Sequence, residues 1–229
     1  MLINRNILVV DSNQMIDVLI PAYNNPATLQ RAIESIYKQT YRPITVTVFD
    51  DNSPTELEPT LRACFKSEDR GLSIRLRRNT KNLRPYWNCI ALLQTVKANN
   101  YIFLAHDDYF IDDFFFETAS DLISNRMCAL VIGNSQYEGS TELMMQKYFQ
   151  DFLEVYGNFY ISGPLWTDAH PAYSGVMFNS QVAKTFLNSG LVLEQERCHQ
   201  FNIEPDEGFL SIILGALNKK IAISGIDLY

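Results

Sequence analysis

The chain has 229 residues, 47% of them hydrophobic, enough for one well-buried domain and too apolar for a disordered protein. Its formal charge is -7 and its longest basic runs are the pairs Arg77-Arg78 and Lys219-Lys220, which argues against a broad nucleic-acid-binding face. Four cysteines, Cys64, Cys89, Cys128 and Cys198, stand far apart without a Cys-x-x-Cys pair, so neither a zinc site nor a disulfide framework is indicated.

The apolar run Ile7–Val10 is too short for a signal-peptide core, and no stretch reaches transmembrane length. The expectation is a cytoplasmic protein, with peripheral contact at the inner face of a membrane left open. Residues 16–20 predict a first strand ended by Pro21, which has no N–H for a ladder. Asn25 then stands as N-cap with Pro26 at the first helical position, and Leu29, Ile33, Ile36 and Tyr37 share one helical face. A strand over 44–49 follows. Pro54 starts a second helix, with Leu57, Leu61, Cys64 and Phe65 facing inward, and residues 73–77 alternate as a short strand. The basic cluster Arg75, Arg77, Arg78, Lys81 and Arg84 reads as a solvated strand and loop.

A third helix is predicted over 86–98, with Trp87, Ile90, Leu93 and Val96 as its core face, and a strand over 101–105. The second half is less regular: a helix at 112–124, a strand at 128–133, a helix at 141–152, a strand at 173–178, a helix at 180–188, a helix at 207–217 and a strand at 220–224. Between them, 155–171 is rich in Gly, Pro and aromatics, as expected of a loop that shapes a site, and holds Trp166 and His170. Alternating strands and helices predict an α/β fold with a mostly parallel central sheet flanked by helices. No repeat or linker divides it, so 1–229 reads as a single domain.

Two acidic pairs follow apolar strands directly: Asp50-Asp51 after Ile44–Phe49, and Asp107-Asp108 after Tyr101–His106. In open α/β sheets ligands collect beyond the carboxyl ends of strands. Adjacent carboxylates there repel each other unless a cation or a hydroxyl-rich ligand lies between them, which a divalent metal and a sugar nucleotide would satisfy. The duller alternative is that one pair caps a helix or sits solvated in a turn, as Asp51-Asn52-Ser53 after Asp50 suggests. No Gly-x-Gly-x-x-Gly or Gly-Lys-Ser/Thr loop is present, so phosphates would be held through metal. His106 is read as a local strand-end residue, because hard cations prefer oxygen.

The stretch Val18–Asn24, then Ala32–Ile36 with Gln39-Thr40, then Val48–Ser53, is similar to the opening of family 2 glycosyltransferases of GT-A fold. The likeness continues through Asn79–Arg84, Asn88 and Phe103–Asp108. It is dense over about 16–115 and thinner afterwards, where Ser174–Phe178 and Glu204–Phe209 resemble the acceptor-side strand and the catalytic-base helix. The resemblance implies a nucleotide-sugar-binding half over about 16–115 and an acceptor half over about 116–229. It further implies that Pro21, Ala22 and Tyr23 line the nucleobase pocket and that Asp51 accepts a hydrogen bond from the base. Asp107 would hold the ribose or diphosphate side, and Asp108 would bind Mn2+ or Mg2+. Asn82 and Arg84 fall near the diphosphate or base, although Arg84 occupies a position where glycine is common. Many relatives read Asp-x-Asp-Asp where this chain has Ala105-His106-Asp107-Asp108.

Glycosyl transfer requires a stabilised nucleoside diphosphate leaving group and a base for the incoming hydroxyl. Asp206 or Glu207, opening a predicted helix, is the candidate base, and direct displacement would invert the anomeric centre. The implied partners are a nucleotide sugar, with a UDP-sugar in first place, and a saccharide or lipid-linked saccharide acceptor of bacterial surface polysaccharide assembly. Two alternatives are a non-catalytic sugar-nucleotide or partner-binding module on this fold, and a sugar-nucleotide nucleotidyltransferase; the latter usually carries a Gly-rich basic loop that is missing here.

Overall fold

A computed structural model describes residues 15–64, 71–126, 130–134, 174, 176–188 and 221–227. The chain order is β1 (Ile16–Ala22), α1 (Pro26–Lys38), β2 (Ile44–Asp50), α2 (Glu58–Cys64), β3 (Leu72–Arg78), α3 (Arg84–Leu93), β4 (Asn100–Phe103), α4 (Phe115–Arg126), β5 (Leu130–Asn134), β6 (Val176–Asn179), α5 (Ser180–Asn188) and β7 (Ile221–Asp227). The strands form one seven-stranded sheet in the order β3-β2-β1-β4-β6-β5-β7. Only β6 runs against the others, pairing antiparallel with both β4 and β5. The expected mostly parallel α/β sheet is therefore present.

Strand periodicity divides the core into two layers. Val18, Ile20, Val46, Val48, Ile102 and Met177 pack with α1, α2 and α4, whereas Leu19, Phe49, Tyr101, Phe103 and Phe178 pack with α3 and α5. Strands covered on both faces are mostly apolar, and β1 and β2, with Asp17, Thr45, Thr47 and Asp50 as their polar members, are buried along nearly their whole length. By contrast β3 lies at the sheet edge, where Ser73, Arg75 and Arg77 are exposed; charged side chains there blunt the open edge.

Several predicted boundaries move, each for a local reason. The first strand continues through Pro21 to Ala22. Ile16 N donates to Pro43 O and Asp51 N to Ala22 O on the β2 side, whereas Leu104 N donates to Leu19 O on the β4 side. Alternation turns Pro21 toward β4 just beyond Leu19, where the β1–β4 register ends, so its missing N–H leaves the β2 ladder intact. The same missing donor gives β4 no partner past this point, and β4 ends at Phe103 rather than 105. Asn25 does precede α1, but in a left-handed conformation with no side-chain cap bond. The second helix begins at Glu58, not Pro54, although Leu57, Leu61 and Cys64 are buried as expected. The third helix spans 84–93 instead of 86–98, because Lys97 N and Ala98 N donate to the buried Asp17 carboxylate at 2.6 and 2.9 Å, drawing the chain out of the helix. The helices expected at 141–152 and 207–217 lie outside the described residues, as do Phe65 and the 155–171 loop.

Candidate active site

Strand order brings three carboxyl ends side by side: β2, β1 and β4 are neighbours. The order of strand addition reverses between the parallel neighbours β1 and β4, since β1 leads outward to β2 and β3 on one side while β4 is added on the other. Such a switch point leaves a crevice beyond the strand ends. Pro21, Ala22 and Tyr23 end β1, Asp50-Asp51 ends β2, and Asp107-Asp108 follows β4. Ala22 is buried, Pro21 is half-buried and the Tyr23 ring is 43% exposed, so of the three it is the one that presents a face to a ligand.

The two carboxylates of the first pair do different work. Asp50 forms a turn: Oδ1 accepts from Ser53 N at 2.8 Å, and Oδ2 lies 3.7 Å from Arg78 Nη1, whose other amino group donates to Ser53 O. Ser53 Oγ in turn accepts from Asn24 N, tying the ends of β1 and β2. Asp51, 3% exposed, instead clamps the 79–84 loop. Its Oδ1 accepts from Asn79 Nδ2 at 2.8 Å and Leu83 N at 2.7 Å, and its Oδ2 from Arg84 N at 2.8 Å. An ionised carboxylate has about four acceptor sites, so three internal bonds leave capacity for one more. The same Asn79 amide donates to Asn88 Oδ1, and Asn88 Nδ2 holds Phe49 O, so the loop is fastened to β2 through a buried amide pair.

Left-handed backbone collects around this edge. Among the described residues the non-glycine positions with positive φ are Asn24, Asn25, Asn52 and Arg84, at 58, 52, 59 and 69°. Asparagine tolerates this region; arginine ordinarily avoids it at a cost of roughly 1–2 kcal/mol. The glycine common at this position in similar sequences thus has a steric reason, and Arg84 keeps the conformation because its N–H is fixed by Asp51 Oδ2 and by Asn82 Oδ1.

The second pair sits in a turn closed by Asp108 N donating to Ala105 O. Ser174 Oγ donates to Asp108 Oδ2 at 2.5 Å and accepts from Ala105 N at 2.8 Å. Burial pushes the Asp108 carboxyl above its ordinary value; the Ser174 hydrogen bond opposes this, the neighbouring Asp107 charge adds to it, and His106 and Arg31 pull it back. Asp107 is exposed, and its carbonyl accepts from Arg31 Nη2 at 3.2 Å. The Arg31 guanidinium also lies 4.3 Å from the Tyr109 ring centroid.

Helix α1 braces the segment after the acidic pair with residues spaced four apart. Arg31 holds Asp107 O, Ser35 Oγ accepts from Phe110 N at 3.1 Å, and Gln39 bridges Asp112 O and Phe116 N at 2.7 and 3.1 Å. Thr40 continues the row to Asp113 O. Ser35 and Gln39 carried the family resemblance without a role; their partners lie more than 70 residues away, so no local signal assigns one. Arg31 was missed for the same reason; Asn79 and Ser174 lie in stretches that carried the resemblance, and their roles depend on Asp51 and Asp108, 28 and 66 residues away. Asp206, Glu207, Trp166 and His170 lie outside the described residues. Among the described residues there is no cluster of three His, Cys, Asp or Glu able to hold a metal.

This is the layout of a GT-A-type transferase, an α/β sheet with acids at adjacent strand ends. The family model described as glycosyl transferase family 2 matches residues 17–181, and the chain belongs to that family. It is 26% identical over 123 residues to the processive diacylglycerol beta-glycosyltransferase of Mycoplasma pneumoniae, covering 54% of this chain and 36% of that protein. Among solved structures, TarS from S. aureus superposes with a TM-score of 0.68 at 15% identity, covering 94% of this chain and 59% of that chain. The mannosyltransferase PcManGT from Pyrobaculum calidifontis, solved in complex with GDP-Man and Mn2+, superposes at 0.65 with 12% identity, covering 93% and 55%. At such identities the superpositions speak to fold alone. The chain spans less than two thirds of the length of each of these proteins.

Proposed function

We propose that this chain is the catalytic domain of a metal-dependent, inverting glycosyltransferase that moves a sugar from a nucleotide sugar to a hydroxyl acceptor. The observation that carries this reading is the meeting of the β1, β2 and β4 carboxyl ends, with the Asp50-Asp51 pair at β2 and the Asp107-Asp108 pair after β4. Tyr23 offers its exposed ring to the nucleobase, Asp51 accepts a hydrogen bond from the base with its remaining capacity, and Pro21 and Ala22 line the pocket wall. Asn82 and Arg84 lie on the diphosphate side. A UDP-sugar is the favoured donor, in keeping with TarS, which has been solved with UDP and with UDP-GlcNAc.

Asp107 and Asp108 fit Mn2+ or Mg2+, since these ions commonly take one or two carboxylates and fill the remaining positions with water and diphosphate oxygens; a three-residue protein cage is not required. When bound, such a cation neutralises charge growing on the departing diphosphate, worth several kcal/mol in general. Asp108 serves as its ligand, and Asp107 as the ribose or diphosphate contact. Asp206 or Glu207 takes the proton from the acceptor hydroxyl on the opposite face of the sugar, and direct displacement inverts the anomeric centre. A saccharide or lipid-linked saccharide of bacterial surface polysaccharide assembly is the acceptor class. Among the described residues no helix is long and apolar enough to cross a membrane, in keeping with work at the cytoplasmic face.

The test is transfer and hydrolysis measured over UDP-, GDP- and dTDP-sugars with Mn2+, for the parent chain and for Asp108→Ala, Asp206→Asn and Glu207→Gln. Loss of turnover in Asp108→Ala and in one of the other two, with donor binding retained in the latter, supports the reading. Full activity of Asp108→Ala removes the metal assignment. Tight donor binding with no turnover on any acceptor makes the chain a binding module, and release of diphosphate from a nucleoside triphosphate and a sugar phosphate makes it a nucleotidyltransferase.

A further inference from the structure

The buried Ser174 hydroxyl stands between two groups of the acidic turn and two residues ahead of β6, in a part of the chain 66 residues from Asp108. Its oxygen accepts the Ala105 N–H and its proton goes to Asp108 Oδ2. The hydroxyl thus joins the Ala105 backbone to the Asp108 carboxyl through one side chain. Ala105 N fixes the hydroxyl rotor and the hydroxyl fixes one carboxylate oxygen, so the aim of the Asp108 side chain is set from outside its own turn. On the opposite side Arg31 of α1 holds the Asp107 carbonyl. The turn is therefore gripped from two elements that are far apart in sequence.

From this we infer that Ser174 is a positioning residue for the metal site: it orients the Asp108 carboxylate for a divalent cation and ties that carboxylate to the strand β6 of the second half. The inference rests on the reading of Asp108 as the metal-binding residue. Partners of this kind, which orient a ligand without touching the ion, typically control metal affinity by 10- to 100-fold.

The experiment titrates the full chain with Mn2+ alone, reading free Mn2+ by electron paramagnetic resonance, for the parent, Asp108→Ala, Ser174→Ala, Ser174→Cys and Ser174→Thr, with circular dichroism as the fold check. Ser174→Ala is expected to raise the Mn2+ dissociation constant at least 10-fold with an unchanged spectrum, and Ser174→Thr, which keeps the hydroxyl, to stay within about 3-fold of the parent. Should Ser174→Ala not fold, Ser174→Cys keeps the size of the side chain with a weak donor and is expected to show the same loss. Mn2+ affinity unchanged in whichever of these two variants folds, while Asp108→Ala abolishes binding, overturns the role of Ser174. Asp108→Ala binding Mn2+ as well as the parent overturns instead the metal reading beneath it.

Discussion

Gln39 offers the sharpest test of how α1 holds the acidic segment. Its side chain is buried, its amide N–H donates to Asp112 O at 2.7 Å, and its carbonyl accepts Phe116 N at 3.1 Å. Phe116 lies in the first turn of α4, where backbone N–H groups lack intrahelical acceptors, so Gln39 caps one helix from another. Gln39→Ala removes both bonds, each contributing about 0.5–1.5 kcal/mol, and leaves the Phe116 N–H buried without that acceptor, at roughly 1–3 kcal/mol. The sum is a loss of about 2–6 kcal/mol, which at this chain length lowers Tm by roughly 4–24 °C. The isosteric Gln39→Glu separates the two halves: one oxygen still accepts Phe116 N, while the other faces the Asp112 carbonyl without a proton to offer. It is expected to lose at least as much as one bond while keeping the shape. Urea unfolding followed by circular dichroism gives the stabilities. A Gln39→Ala loss below about 1 kcal/mol, or Gln39→Glu equal to the parent, would refute the bridging role.

Three further outcomes are expected. Tyr101 Oη is fully buried with no hydrogen-bond partner among the described residues, and burial pushes the phenol well above its ordinary value. Since the ring itself stacks on Phe178 with 5.1 Å between centroids, Tyr101→Phe keeps the packing and is expected to stabilise the chain by about 1 kcal/mol in urea unfolding; a loss of similar size sinks the idea. Arg84→Gly relieves the left-handed strain and gains about 1 kcal/mol or less after the extra flexibility of the unfolded glycine, while the donor KM rises; an unchanged KM removes Arg84 from the donor site. For Asp108 the raised folded pKa means that the folded state holds its proton more tightly than the unfolded state, so its contribution to stability is complete below the ordinary carboxylate range and is lost as pH rises through the raised value. In metal-free protein the parent is therefore expected to lose stability relative to Asp108→Asn over that window, and a difference that is flat in pH contradicts the assignment.

What the sequence made legible follows from the range of the interactions involved. Strand runs and the acidic pairs behind them are local patterns, and Ile16–Ala22, Ile44–Asp50 and the α1 face were readable because period and burial agree within a few residues. Boundaries decided by a distant partner were not. The end of α3 depends on the Asp17 carboxylate about 80 residues earlier, and the end of β4 on a proline in its neighbour. The site divides in the same way. Its acids were visible, but the side chains that hold them and the segment behind them, Ser35, Gln39, Asn79 and Ser174, are ordinary polar residues whose partners are brought near only by the fold.

This division explains why the two acidic pairs are unequal although the sequence writes them alike. Asp50 and Asp51 are both nearly inaccessible and are occupied by backbone donors of turns that the chain itself supplies, so their charge is answered from within. Asp107 is exposed, and Asp108 keeps a raised pKa despite the Ser174 bond, because one hydroxyl and distant cations do not replace the water that burial removes. Of the two pairs, Asp107-Asp108 is therefore the one whose charge the described residues compensate less. Backbone donors fix the 79–84 loop on the first pair, whereas the hydrogen bond described at the Asp108 carboxylate comes from a side-chain hydroxyl.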